Sequence, residues 1–298
     1  MKKTIYLLAL AAAFYACNKP NSSSAVESIV SLESSGVQAL PEDELGWDLG
    51  AGSYSFKLFT FFEALEKIDS AGLKNVEGFP NHTIGEGITE VLDYRMEESL
   101  REKVSARLQE KGIRMNAYGV ASPDKEEDWR RLFEFAKAMG VETISSEPDE
   151  KFMPLISQLC DEFEINLAIH NHAAPSKYWD PKTVLATIDG YSPRVGACAD
   201  IGHWIRSGLD PIESLKVLEG RLFHLHMKDL TEKNKKEAHD VHWGTGVVDL
   251  DALIAELKRQ DFKGSISAEY EYNWENNGPD IAASIKNFRN ALLVQKGK

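Results

Sequence analysis

Short apolar runs alternate with amphipathic segments along most of this chain, and this alternation limits the folds that it can adopt. The runs that predict strands are 49–56, 74–79, 113–119, 141–147, 165–171, 195–201, 222–228 and 264–271. The segments that predict helices are 58–71, 95–111, 125–139, 151–163, 181–189, 211–218, 248–260 and 279–294. Strands that alternate with helices indicate parallel pairing, because each helix returns the chain to the edge where the next strand starts.

Eight such units in about 250 residues predict a single-domain (β/α)₈ TIM barrel of the α/β class. An open, doubly wound sheet is the alternative. It rarely needs eight regular units, and no Gly-x-Gly-x-x-Gly turn follows the first predicted strand. The barrel is therefore the favoured fold.

The first residues have the pattern of an export signal. Lys2 and Lys3 precede an apolar stretch at 5–15, which is too short for a membrane-spanning helix. Ala16-Cys17 follows, as at the cleavage point of a bacterial lipoprotein; an ordinary signal peptide with an incidental cysteine is the alternative. We predict a lipoprotein signal peptide at 1–16, a lipidated Cys17, a flexible tether at 17–44 and the barrel at 45–298.

These features predict a protein outside the cytoplasm, anchored by lipid to the bacterial envelope and facing the periplasm. The formal charge is −13, and removing Lys2 and Lys3 with the signal peptide makes it −15. Nucleic-acid binding needs a basic surface, so we expect no nucleic-acid partner and no membrane contact beyond the anchor. Cys160 and Cys198 are expected to be buried free thiols.

Polar groups end four of the predicted strands, in the strings His170-Asn-His172, Asp200-Ile-Gly-His203, His224-Leu-His226-Met-Lys228-Asp229 and Glu269-Tyr-Glu271. Buried strands normally exclude such groups, because an unpaired buried charge is costly. In a barrel, the carboxyl ends of all strands meet at one mouth. The strings therefore predict one shared site. Its carboxylates and imidazoles suit a single divalent metal, with Mn²⁺ the leading candidate and Mg²⁺, Co²⁺ or Zn²⁺ as alternatives.

Several of these strings resemble the xylose-isomerase-like TIM barrels of the sugar phosphate isomerase/epimerase superfamily. The resemblance covers about 45–296, and its most specific pieces are Asp200-x-Gly-His203, His226-x-Lys228-Asp229, Gly244-Thr-Gly246-x-Val248-Asp249 and Ala268-Glu269-Tyr-Glu271. In that family a Glu, an Asp, a His and a Glu from four strands hold one divalent metal. The resemblance therefore implies that Asp200, His226 and Glu269 are three of the metal ligands.

The first glutamate of the family pattern is missing. Many members carry Glu-Asn-His at the end of the fifth strand, where this chain has His170-Asn171-His172. Inosose-dehydratase-like members also have a histidine-rich fifth strand and take a glutamate from the fourth. We therefore expect Glu147, at the end of the fourth strand, to be the fourth ligand. His170 as a direct ligand is the rival, and Glu147 as a simple loop carboxylate is a third reading.

The departure bears on mechanism. Family epimerases move a proton between two metal-site glutamates, whereas a neutral histidine here would be a competent single base. We therefore expect a metal-dependent lyase or hydratase that removes a proton beside the carbonyl of a keto-sugar or keto-glycoside. A sugar isomerase or epimerase is the close alternative, and a non-catalytic sugar-binding lipoprotein is the alternative of another class. Phosphodiester cleavage is disfavoured by the acidic surface.

The remaining predictions concern individual side chains. The expected catalytic residues are His170, Lys228 and Glu269, and Lys228 either holds an enolate oxygen or pairs with Asp229. A small carbohydrate is the expected partner, and its expected binding residues are Glu77, His172, His203 and Trp204. His224 is expected to be a hydrogen-bonded core residue. The long connections 80–94 and 229–247 leave from strand carboxyl ends, so they are either lids and substrate walls or ordinary insertions.

Overall fold

A computed structural model describes residues 39–296, and it confirms the barrel. Its strands in chain order are β1 (Trp47–Gly52), β2 (Asn75–Gly78), β3 (His82–Gly85), β4 (Ile88–Leu92), β5 (Arg114–Tyr118), β6 (Thr143–Ser146), β7 (Asn166–His170), β8 (Val195–Asp200), β9 (Leu222–Met227) and β10 (Gly264–Ala268). Eight of these close into a parallel barrel in the order β1-β10-β9-β8-β7-β6-β5-β2. The barrel strands are therefore the eight that the sequence predicts.

The helices lie between the barrel strands. They are α1 (Phe61–Ser70), α2 (Glu98–Lys111), α3 (Glu126–Met139), α4 (Met153–Phe163), α5 (Pro181–Ile188), α6 (Ile201–Arg206), α7 (Pro211–Val217), α8 (Leu250–Arg259) and α9 (Gly278–Lys296). Their ends follow local chemistry: Thr60 and Glu63 form a reciprocal capping box at the start of α1, and Gly140 ends α3 at a positive φ of 74°. Asp180 and Asp210 accept backbone N–H bonds before Pro181 and Pro211.

Two elements were not predicted from the sequence. The connection 80–94 contains the antiparallel hairpin β3–β4, whose turn has positive φ at Gly85, Glu86 and Gly87. The short helix α6 starts directly after β8, where Asp200 caps it by accepting the backbone N–H of His203 at 2.7 Å. Asp200 therefore ends one strand and starts one helix, which fixes its backbone at the barrel mouth.

The barrel interior is layered. Near the amino-terminal end, Asn116 donates to Ser265 across the barrel at 2.8 Å. Above them, His224 is fully buried and bonded to Ser145 at 3.2 Å and to Ser267 at 2.8 Å, as expected for a core histidine. Strand side chains alternate between faces, so the next inward position on β9 is His226, at the level of the mouth.

The signal peptide, Cys17 and most of the predicted tether lie outside the described residues. Within the described part of the tether, Glu42 is buried and accepts from Arg289 of α9 at 2.6 Å. Cys160 and Cys198 are buried and free. Across residues 39–296, no helix has both the length and the apolar character that crossing a membrane would require.

Candidate active site

One cavity of about 750 Å³ opens at the carboxyl ends of the barrel strands. It is lined by Gly52, Tyr54, Glu77, Phe79, Gly119, Val120, Ser122, Glu147, His170, His172, His203, His226, Glu269 and Glu271. Asp200 and Lys228 contact the lining residues from fully buried positions. The strand-end strings therefore meet in one place, as the sequence predicts.

Four side chains bring donor atoms within 4.8 Å of one another: His170, Asp200, His226 and Glu269. His226 Nδ1 lies 3.0 Å from Glu269 Oε2, and His170 Nε2 lies 3.5 Å from Asp200 Oδ2. The barrel register explains why Asp200, His226 and Glu269 are neighbours. Asp200 pairs with His226 across β8 and β9, and His226 pairs with Ser267 across β9 and β10. Glu269 follows two residues after Ser267, on the same face.

Three buried ring nitrogens in this group lack a hydrogen-bond partner among the described residues. They are His170 Nε2 and both ring nitrogens of His226, whose close approaches to Glu77 and Glu269 do not have hydrogen-bond geometry. An unpaired imidazole nitrogen in a dry site is costly unless something binds its lone pair. Imidazole nitrogens and carboxylate oxygens that converge in this way are the donors that a divalent metal takes. The residues therefore fit the metal that the sequence implies.

Glu147 lies on the other side of His170. Its Oε1 is 2.9 Å from His170 Nδ1 and also contacts His172 Nδ1. Burial raises the pKa of Glu147, but the bonds from His170 and His172 outweigh it and bring the pKa to about 2. Glu147 thus groups with His170 and His172, and the donor atoms of these three also lie within 4.8 Å of one another. Glu147 does not belong to the group of four donors, and its assignment as the fourth ligand stays a prediction.

His172 stands at the mouth of the cavity, with about half of its side chain exposed. The bond to Glu147 raises its pKa, because the carboxylate stabilises the protonated ring. Its ring centroid is 4.9 Å from that of His203. His203 is more enclosed, and burial lowers its pKa to about 3, which keeps the ring neutral. The two predicted substrate-binding histidines therefore line the cavity with pKa values shifted in opposite directions.

Glu77 lines the bottom of the cavity but is nearly fully buried. Its Oε2 is 2.7 Å from His226 Nε2, and its Oε1 accepts from Ser145 at 2.7 Å. Burial raises the pKa of Glu77, but His226 and His224 outweigh it and bring the pKa to about 2. Glu77, predicted to bind substrate, therefore lies against a histidine ring at the bottom of the cavity.

Lys228 is fully buried beneath the cavity. Its Nζ is 2.6 Å from Asp200 Oδ2 and 3.1 Å from Glu271 Oε1, and it also donates to Glu269 Oε2. The predicted alternative that Lys228 pairs with Asp229 is wrong. Asp229 instead accepts backbone N–H groups of the following loop, from Gly244, Gly246 and Val248, each at 2.9 Å.

Trp204 does not lie where a sugar could reach it. The prediction that it binds substrate is wrong, because its side chain is 1% exposed and packed in the hydrophobic core of α6 and its neighbours. Trp204 lies within α6 (Ile201–Arg206), an element that was not predicted from the sequence. One turn of helix after β8 places His203 toward the cavity and directs the next residue into the core.

Neither long connection lines the cavity among the described residues. The hairpin of 80–94 packs against the start of α1, where His82 Nε2 is 2.9 Å from Phe59 O. The connection 229–247 folds back on itself through a bridge between Leu230 and Asp240. Of the two readings offered for these connections, the geometry favours ordinary insertions that stabilise the rim over substrate walls.

Sequence reasoning missed the aromatic side of the cavity. Tyr54 follows β1 and Phe79 follows β2, and both line the cavity. Their ring centroids are 4.7 Å apart. The positions of these two residues just past strand ends would have predicted their place, because such residues face the barrel mouth.

Comparison with known proteins identifies the relatives of this fold. A family model described as "Xylose isomerase-like TIM barrel" matches residues 65–291. None of the curated proteins compared with the chain matches it. Among solved structures, an uncharacterised protein from Parabacteroides distasonis is 32% identical, with a TM-score of 0.68 over 85% of this chain and 100% of its own.

Two further solved structures share the fold at low identity. A D-tagatose 3-epimerase-like protein is 15% identical, with a TM-score of 0.67 over 84% of this chain and 98% of its own. The probable 3-DHS dehydratase AsbF of petrobactin synthesis from Bacillus anthracis is 17% identical, with a TM-score of 0.61 over 79% of this chain and 96% of its own. At these identities the likeness concerns the fold alone.

Proposed function

The chain belongs to the xylose isomerase-like TIM barrels, and on that premise we propose that it is a metal-dependent enzyme acting on a keto-sugar or keto-glycoside. In the elimination direction, the reaction removes a proton from the carbon beside the carbonyl and expels the group on the next carbon, which leaves with a proton. Hydration is the reverse, in which water adds across the resulting double bond. The activity is therefore that of a lyase or hydratase. The observation that carries this proposal is the pair His170–Glu147, which lies directly beside the donor atoms of Asp200, His226 and Glu269 in one cavity.

Asp200, His226 and Glu269 would hold the metal. Three protein ligands leave coordination positions for substrate oxygens, as catalytic metal sites require. A divalent metal bound there would polarise the carbonyl and stabilise the negative charge that develops on its oxygen. A metal cation also suits the charge of the site. Five carboxylates line or adjoin the cavity, and the buried ammonium group of Lys228 contacts three of them; the five are Glu77, Glu147, Asp200, Glu269 and Glu271.

His170 is our candidate for the base. Its Nδ1 donates to Glu147, which leaves the lone pair on Nε2, 3.5 Å from Asp200 Oδ2 and beside the proposed metal position. A base oriented by a carboxylate in this way is the arrangement found in many acid–base sites. His170 therefore takes the proton in our scheme, and Glu147 fixes the ring.

Lys228 and His172 take supporting roles. Lys228 holds the carboxylates of Asp200 and Glu269 in place and offsets part of their charge. His172 shares Glu147 with His170 and reaches solvent, so it is placed to give a proton to the leaving group at the mouth. A base on one side of the cavity favours elimination over epimerisation, because epimerisation needs a second base on the opposite face.

The test combines metal analysis with product analysis. Purified wild-type protein and an Asp200→Ala variant are assayed for bound metal and incubated with 3-keto-glycosides, and products are followed by NMR. We expect metal and aglycone release in the wild type only. Epimer formation without release would establish the isomerase alternative. Ligand binding without metal or turnover would establish the sugar-binding lipoprotein.

The cellular location of the protein is a separate proposal. We propose that Cys17 is lipidated and that the barrel faces the periplasm on a short tether. Cells grown with radiolabelled palmitate should label the wild type and not a Cys17→Ser variant. Equal labelling, or none in either, would contradict the anchor.

A further inference from the structure

The cavity has two unlike sides. Imidazoles lie on the side of β7 and β8, whereas aromatic rings lie on the side of β1, β2 and β10, which is opposite in the closed order of strands. We define the aromatic wall as Tyr54, Phe79 and Trp274. Tyr54 and Phe79 line the cavity, and Trp274 extends the wall to the rim, with its ring centroid 5.8 Å from that of Tyr54.

The wall is held by hydrogen bonds between the loops that carry it. Ser53 and Ser55 follow β1 and are fully buried. The Ser53 hydroxyl accepts the backbone N–H of Phe79 at 2.8 Å, and the Ser55 hydroxyl accepts the backbone N–H of Tyr270 at 2.8 Å. The three loops are therefore fastened together, so the rings are positioned before a ligand arrives.

A lysine braces the outer half of the wall. Lys57 Nζ lies 3.6 Å from the ring centroid of Trp274 and 3.1 Å from the hydroxyl of Tyr54, to which it donates. A cation over an indole face holds that ring in one orientation. The brace leaves the cavity-facing surface of Tyr54 uncovered, since that residue still lines the cavity.

Neither the metal donors nor the proposed base uses this wall. The proposed chemistry needs only one sugar ring, placed over His170 and Glu269. A cavity of about 750 Å³ lies in the range of sites that enclose ligands of drug size, roughly 300–1,000 Å³. When a flat apolar surface of a ligand covers half-buried aromatic faces in such a site, the burial of both surfaces stabilises the complex.

We propose that the natural substrate carries a second ring, so that it is a glycoside of a keto-sugar and not a free ketose. The keto ring lies over the imidazole side, and the second ring, a sugar or an aromatic aglycone, stacks on Tyr54 and Phe79. This inference rests on the proposed function for the identity of the first ring. It assigns the substrate class through a binding surface with no part in proton transfer.

The test uses glycosides that lack the ketone and therefore cannot react. Binding of phenyl glucoside and methyl glucoside is measured by calorimetry, and by saturation-transfer NMR where binding is weak, on full-length protein treated with chelator. We expect the phenyl glycoside to bind roughly three- to tenfold more tightly. Phe79→Ala and Tyr54→Ala should reduce that ratio to about one.

Leu185→Ala is the matched control, since Leu185 is an exposed apolar side chain outside the cavity lining. It should leave the ratio unchanged. Phe79→Leu and Tyr54→Leu keep apolar volume without an aromatic face, so they provide the same test if the alanine variants fold poorly. Equal binding of both glycosides by the wild type would overturn the proposal. So would an affinity ratio that the substitutions at Tyr54 and Phe79 leave unchanged.

The two proposals can fail separately. Selective binding of the phenyl glycoside without turnover of any keto-glycoside would overturn the proposed reaction and support the wall. Turnover of free keto-sugars and keto-glycosides at the same kcat/KM, with no preference in binding, would overturn the wall and leave the reaction standing.

Discussion

The carboxylate of Glu77 lies 2.7 Å from Nε2 of His226, while Nδ1 of the same ring faces the carboxylate of Glu269. A carboxylate next to one ring nitrogen keeps the hydrogen on that nitrogen and leaves the lone pair on the other. The contact between Glu77 and His226 does not have hydrogen-bond geometry among the described residues. We expect a metal on Nδ1 to turn Nε2 toward Glu77, so that Glu77 selects the tautomer that binds the metal. Ser145 fixes Glu77 in turn by donating to its other oxygen.

Glu77→Gln should weaken divalent metal binding about 10- to 100-fold. A glutamine can turn its amide N–H toward Nε2, which would move the imidazole hydrogen to Nδ1 and block the metal-binding lone pair. Titration of the metal-free protein with Mn²⁺ by calorimetry measures the loss. Glu256→Gln, which changes a buried carboxylate outside the cavity, is the control. Equal affinities in wild type and Glu77→Gln would refute the role.

His170→Gln should separate the role of a base from that of a ligand. If Asp200, His226 and Glu269 hold the metal, the variant keeps its metal and loses about 10²- to 10⁴-fold in turnover, the usual contribution of a general base. Metal content after dialysis and kcat on a keto-glycoside are the two measurements. Loss of metal together with activity would instead make His170 the fourth ligand, the rival reading from the sequence.

Glu147→Gln should keep the metal and lower kcat less than His170→Gln does, because Glu147 acts only by orienting the ring. Glu142→Gln makes the same change at an exposed position outside the cavity lining, so it is the matched control and should leave kcat near that of the wild type. Loss of the metal from Glu147→Gln would instead show that Glu147 is a metal ligand, as the sequence predicts.

Much of the barrel could be predicted because its signals are local. Apolar runs, Asp-Pro helix starts and Gly140 after α3 act over a few residues, and the barrel strands and their helices follow from them. Convergence of Asp200, His226 and Glu269 also follows, since parallel strands share one mouth. The hairpin β3–β4 and α6 were missed because they lie inside segments interpreted as loop or strand.

Side-chain partnerships at the mouth could not be predicted in the same way. Whether Glu147 faces the metal donors or the far side of His170 depends on angles between strands that no spacing encodes. The same holds for Lys228, whose sequence neighbour Asp229 turns away to bind Gly244, Gly246 and Val248. Distances across the barrel decide these contacts, and a single sequence does not carry them.

Lys228→Met should destabilise the metal-free protein by about 3–5 kcal/mol, because removing the ammonium leaves buried carboxylates unpaired. Asp200 and Glu269 would then repel each other across the position that Lys228 Nζ now bridges. Urea unfolding in the presence of chelator measures the loss, and Mn²⁺ should recover part of it by supplying positive charge. Lys216→Met removes an exposed pair with Glu213 and should change little. A Lys228→Met variant as stable as the wild type in chelator would contradict the balance of charge described above.

Asp240 should make stability fall as the pH rises toward neutrality. It is 1% exposed, neither carboxylate oxygen has a hydrogen-bond partner among the described residues, and Arg206 Nη2 is 3.6 Å away. Burial raises the pKa of Asp240 to about 7. The folded protein therefore binds this proton more tightly than the unfolded chain does, and the stabilisation is complete at low pH and lost as the pH rises to about 7.

Asp240→Asn removes this dependence. Between pH 5.5 and pH 8, the variant should gain about 2 kcal/mol of stability relative to the wild type, because the wild type loses about 1.4 kcal/mol for each pH unit up to 7. Urea unfolding of both proteins at the two pH values gives the difference, and shared titrating groups cancel in it. Asp124→Asn, at an exposed position, should show a constant difference. A constant difference for Asp240→Asn as well would mean that the carboxylate is charged throughout this range, with Arg206 as its partner.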